Sequence, residues 1–153
     1  MNALQHYPDD SRIWVFTSNR KISADEQGEI GTELRGFLDK WAAHGTPLMA
    51  DYLWLNEYQV AIVLDQSQAG ASGCSIDTQT RFMRKLGDER NIDWFDRMHL
   101  ILEDESGVRR ISFFDLGEHP EAKLFDNLVQ QLKELRSNWP IPMRESRYAH
   151  LMR

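Results

Sequence analysis

The chain has 153 residues, of which 41% are hydrophobic and 27% charged, with a formal net charge of -6; this is ordinary globular usage and excludes a disordered composition. A chain of this length is expected to form one domain, residues 1–153, that buries roughly 70% of the surface its unfolded form exposes, with residues 1–10 and 142–153 as irregular tails. The negative balance argues against nucleic acid as a partner, no run reaches the roughly 18 apolar residues of a membrane span, and a single cysteine, Cys74, excludes an internal disulfide and fits a reducing, cytoplasmic compartment.

In Arg12 to Thr17, Ile13 and Val15 alternate with Trp14 and Phe16, and both sets are apolar. Such a pattern predicts a strand covered on both faces and central in its sheet. After a loop at Ser18-Asn19-Arg20-Lys21, Ser23 and Glu26 form a capping-box pattern, and Ile30, Leu34, Phe37, Leu38 and Trp41 follow at helical spacing. A first helix is predicted over residues 24–43, stopped by Gly45 and Pro47.

Two apolar runs, 48–55 and 58–64, flank Asn56-Glu57 and predict a hairpin. A small polar loop at 66–73 leads to a second helix, with Ser75 or Asp77 as its cap and Phe82, Met83 and Leu86 on one face. A second hairpin, 98–102 with 108–114, turns at Glu103 to Gly107. A last helix is predicted over 118–137 from the spacing of Leu124, Leu128, Leu132 and Leu135. The fold class that follows is α+β: a ferredoxin-like βαββαβ core with an added strand and a C-terminal helix.

Chemistry concentrates at Gly70 to Asp77, between a buried strand and a helix. Small residues there allow close backbone approach, helix-start amides can hold an anion, and a thiol near the positive helix end tends toward thiolate. Three readings follow. Amides around Ser72, Gly73 and Ser75, with Asp77, form an anion cradle partnered by Arg20 or Arg97; an ordinary turn with a Ser/Asp cap explains the same residues and is favoured because most helices carry one. Cys74 acts as a nucleophile with His44 or His99 as base, against the commoner role of a packing thiol. Asp65, Asp77, Asp93 and Asp96 converge on a divalent metal, against caps, turns and a partner for Arg97. No metal and no cofactor is predicted, since H-E-x-x-H, G-x-x-x-x-G-K-[ST] and G-x-G-x-x-G are all missing from the sequence. Trp94-Phe95 and Trp139 fit no core periodicity, and exposed aromatics there would mark a partner surface.

The segments Ser18-Asn19-Arg20, Trp41-Ala42-Ala43-His44-Gly45, Ser72-Gly73-Cys74-Ser75-Ile76-Asp77 and Phe95-Asp96-Arg97 resemble a group of short, uncharacterised bacterial proteins, some of which carry the label ABC transporter ATPase. The resemblance covers most of the chain, loosens in its last quarter and implies no particular activity. Ser72-Gly73 is similar to the start of the transporter signature loop, but Cys74-Ser75 replaces the remaining Gly-Gln and no Walker A segment accompanies it. The expected function is therefore a non-enzymatic binding or regulatory module that uses a sheet surface or strand edge to form a homodimer or dock a protein partner. The alternative is a small hydrolase or transferase that takes a phosphorylated or other small anionic ligand at Ser72–Asp77, with Asp65, Asp96, Arg97 or His44 nearby.

Overall fold

The computed structural model describes residues 4–153. Strand β1 (Arg12–Thr17) is followed by helix α1 (Ala24–Leu38), a two-residue hairpin β2 (Ala42–Ala43) and β3 (Thr46–Pro47), then β4 (Met49–Trp54), β5 (Gln59–Asp65) and helix α2 (Gly73–Arg90). Antiparallel pairing gives the order β1-β5-β4, with Ile13 opposite Val63 and Tyr52 opposite Ile62. Period-two alternation sends the two sets of apolar side chains to opposite faces. Val60, Ile62, Leu64 and Phe16 meet Ile30 and Leu34 of α1 and Met83 and Leu86 of α2. On the reverse face, Ile13 and Val63 meet Leu4, Val129, Leu132 and Leu135.

A second antiparallel sheet holds β6 (His99–Asp104), β7 (Gly107–Ser112), β8 (Lys123–Leu124) and β9 (Ile141–Pro142) in the order β7-β6-β8-β9. One face buries Leu100, Leu102, Leu124 and Met143, and the other sends Ile101 to Tyr58 and Phe125, where the two sheets join. The junction is pinned by Gln59, whose side-chain amide donates to Thr17 Oγ1 at 3.0 Å and to the Phe125 carbonyl at 3.2 Å. The molecule is thus α+β with antiparallel sheets. A four-stranded ferredoxin-like sheet would set β6 beside β1; β6 lies in the second sheet instead, and among the described residues only Gln130 and Gln131 pair with the outer edge of β1.

Two expectations about helices are corrected. Helix α1 ends at Leu38, because Trp41 turns inward and its indole N–H donates to the Ser75 carbonyl at 2.8 Å. The predicted helix over 118–137 reduces to α3 (Leu132–Arg136), preceded by a 3₁₀ turn, Phe113–Glu118, and by β8. Its leucines serve different surroundings: Leu124 packs in the second sheet, Leu128 is exposed, and Leu132 and Leu135 pack under the first sheet. Pro120 interrupts the stretch, and the Asp126 carboxylate accepts the Leu128 N–H at 2.9 Å, closing a turn that competes with helix. The tails are docked as far as they are described. Leu4 and Met143 are fully buried, and the Arg153 N–H donates to the Gly117 carbonyl; residues 1–3 lie outside the described residues.

The end of α2 is shaped by one close approach. Asn91 takes a left-handed conformation with φ 58°, and the Ile92 N–H returns to the Gly87 carbonyl at 2.8 Å. A Cβ on Gly87 would stand 2.3 Å from the Ile92 carbonyl oxygen, so only glycine fits. This tight exit delivers Trp94, Phe95, Asp96 and Arg97 to the space beside β1.

Candidate functional site

The turn singled out by sequence, Ser72–Asp77, is closed on itself. Ser72 is the N-cap of α2: its hydroxyl accepts the Ser75 N–H at 3.1 Å, and the Ser75 hydroxyl accepts the Ser72 N–H at 2.8 Å. The Ile76 N–H already bonds the Ser72 carbonyl. Only the amides of Gly73 and Cys74 are left at the helix start, both on exposed residues. Cys74 and Asp77 are exposed, and His44 is an exposed residue of the β2–β3 turn with φ 50°. No side-chain hydrogen bond joins Cys74, His44 or Asp77 to another candidate residue among those described.

Arg20 is committed elsewhere. Its guanidinium forks onto Glu26 at 2.8 and 3.0 Å and donates to the Arg90 carbonyl at 2.8 Å, clamping the loop before α1 to the C-terminal end of α2. Arg90 in turn reaches Glu33 and Glu29. The Arg20 hydrogen bonds, with lesser help from charge, outweigh burial and hold the Glu26 carboxyl below its ordinary range.

Asp96 forms a separate cluster. One carboxylate oxygen accepts the Met98 N–H at 2.8 Å; the other accepts from His99 Nδ1 at 2.8 Å and from Arg110. Burial alone would raise its pKa and is the largest single influence, but these donors together leave it lowered. A carboxylate accepts only, so Nδ1 of His99 carries the proton. No described hydroxyl or thiol hydrogen-bonds to the His99 ring. Arg97, the next residue, is exposed and makes no hydrogen bond or ion pair with any described residue.

Backbone groups on the outer edge of β1 lack partners among the described residues. The Ile13 N–H points away from β5, to the Gln130 carbonyl at 3.0 Å, and the Leu132 N–H returns to the Ser11 carbonyl at 2.9 Å. Alternation along the strand turns the N–H and C=O of Val15 to that same edge. There the segment 127–129 has diverged, and neither group has a partner among the described residues. The groove so formed has a volume of about 250 Å³; its floor is the β1 edge, one wall is Gln79 and Thr80 of α2, and the other is Asn127 to Gln130. Gln79 is only 1% exposed, yet its carbonyl oxygen has no hydrogen-bond partner, and neither does the side-chain oxygen of Asn127. Buried amides are nearly always paired, so two orphans on one groove are exceptional.

Past Val15, Asn127 and Leu128 the groove opens into a cleft of about 560 Å³ lined by Trp94, Phe95, Leu100, Phe113 and Tyr148, with Asp96 and Arg97 as its charged residues. Phe95 meets Phe16 edge-on and carries the Arg84 guanidinium over its face at 4.5 Å. Trp94 is 4% exposed and its indole N–H is unpaired. Of the sequence candidates, then, the structure brings Asp96 and Arg97 into one cleft and leaves Cys74, His44, Arg20, Ser72, Gly73, Ser75 and Asp77 outside it. A further hollow of about 430 Å³ beside Trp139 has its charges occupied: Asp126 pairs with Arg147 at 2.7 Å, and Glu134 accepts the N–H groups of Gln130 and Gln131.

Val15, Gln79 and Asn127 were not legible as site residues. The one pointer was the Trp94-Phe95 pair, whose aromatics fitted no periodicity. Among the described residues no group of three His, Cys, Asp or Glu side chains is placed to hold a metal ion, and no helix is long and apolar enough to cross a membrane. The chain matches no protein-family model, no curated protein and no solved structure.

Proposed function

We propose that this chain is a binding module that takes an extended segment of a partner protein as an added strand on the outer edge of β1. The carrying observation is that the backbone N–H and C=O of Val15 have no partner among the described residues and face a groove walled by Gln79, Thr80 and Asn127. A peptide backbone offers N–H and C=O groups at strand spacing, which is the complement such an edge needs. In this reading β1, β4 and β5 with α1 and α2 are a ferredoxin-like half lacking its outer strand, and the partner occupies that place. The alternative, a hydrolase or transferase with an anion at Ser72–Asp77, draws no support from a turn whose cap is internally closed.

Amide hydrogen exchange tests the reading directly. In the free chain the Val15 amide should exchange at least about tenfold faster than that of Ile13, since one is unbonded and the other is in a ladder. A bound strand should slow Val15 selectively. Equal protection of the two amides in the free protein would overturn the proposal, and Val15 protection that grows with protein concentration alone would identify a second copy of the chain as the occupant.

A further inference from the structure

We infer that the docked segment carries a large apolar side chain that fills the cleft beyond Val15 and, close by, a carboxylate that pairs with Arg97. This rests on the strand-docking reading and specifies its partner. The cleft is continuous with the groove through Val15, Asn127 and Leu128, so a chain running along the β1 edge passes over its mouth. Its walls are aromatic and aliphatic, and they are incompletely covered: Leu128 is 52% exposed and Phe113 36%. Next to them Phe114, 74% exposed, stacks edge-on with Phe113, and Met98 is also exposed. A contiguous apolar rim of this kind suits a macromolecular partner, and a Phe or Leu side chain is the natural filler of the hollow.

Charge then sets the neighbour of that anchor. Two charged residues line the cleft. Asp96 is matched by Arg110 and by the His99 N–H, so it offers no free charge, whereas Arg97 has no partner among the described residues. A guanidinium with open donors beside an aromatic wall selects a carboxylate by paired N–H···O bonds. In a chain of net charge -6, this guanidinium is a local inversion of the overall field, so it favours an acidic residue and disfavours a basic one at that position.

The test uses the full chain, fluorescently labelled, against an array of synthetic dodecapeptides of alternating Thr and Val, with a central Phe, Leu or Ala and a Glu, Gln or Lys two residues on; dissociation constants follow from anisotropy in solution. Phe and Leu peptides should bind about tenfold more tightly than Ala peptides, and Glu about five- to tenfold more tightly than Lys. Arg97→Glu should invert the Glu-over-Lys order and keep the Phe-over-Ala order. If Glu, Gln and Lys peptides bind alike and Arg97→Glu changes nothing, the inference is overturned while strand docking stands, provided Val15 is protected. If no peptide binds and Val15 continues to exchange, both are overturned.

Discussion

The start of helix α2 and the outer edge of β1 lie on neighbouring parts of the chain's first layer, and they treat their backbone groups in opposite ways. At the helix start, Ser72 and Ser75 exchange hydrogen bonds and leave only the exposed amides of Gly73 and Cys74 open. At the strand edge, pairing with Gln130 stops after Ile13, and Val15, Gln79 and Asn127 remain without partners. A residue type suited to binding is therefore weaker evidence than an unmet hydrogen-bonding demand. Each buried orphan costs the folded state about 1–3 kcal/mol.

The contrast breaks most visibly at Gly87. Gly87→Ala forces its Cβ into the Ile92 carbonyl and displaces the loop that carries Trp94, so a loss of about 2–3 kcal/mol in denaturant unfolding is expected, together with loss of the Val15–Arg97 binding surface. Smaller and opposite effects separate the two regions themselves. Ser75→Ala removes half of the reciprocal cap and should lower stability by about 1 kcal/mol with peptide affinity retained. Gln79→Leu removes an unpaired buried amide and should leave stability equal or raise it by up to about 1 kcal/mol while weakening peptide binding. Should Gln79→Leu destabilise the chain as Ser75→Ala does, Gln79 is a structural residue and the contrast disappears.

The smallest effect is in acid. The Glu26 carboxyl is lowered in the folded chain, so its contribution is present above the unfolded value and is lost as pH falls through the folded one. Stability followed by urea titration should decline below about pH 4.5, the ordinary range of Glu. With Arg20→Ala that part of the acid slope should flatten, while the Val15 amide keeps its fast exchange.

Much of the architecture was legible. The hairpin of β4 and β5, the helix opened by Ser23 and the strand β1 follow from apolar periodicity and caps, which act locally. Two-sided apolarity in Ile13, Trp14, Val15 and Phe16 predicts a central strand. Both faces of β1 are indeed covered, by α2 and by the segment around Val129, but one edge is largely unpaired. Side-chain pattern reports on faces and is silent about edges, because hydrogen bonding along an edge belongs to the backbone, which every residue shares. For the same reason Val15 carried no mark of a site. The leucine spacing of 124–135 misled in another way: a helical interval arose from residues that serve separate clusters, a distinction that only tertiary packing draws.

The pairing of Gln130 and Gln131 with β1 also has a timing. During synthesis β1 emerges long before the segment that closes one end of its edge and before Phe125, to which Gln59 binds. At ribosomal speed that interval is on the order of ten seconds. Throughout it the outer edge of β1 is without the cover that Gln130 gives Ile13, so the nascent chain carries a longer open edge than the finished protein does.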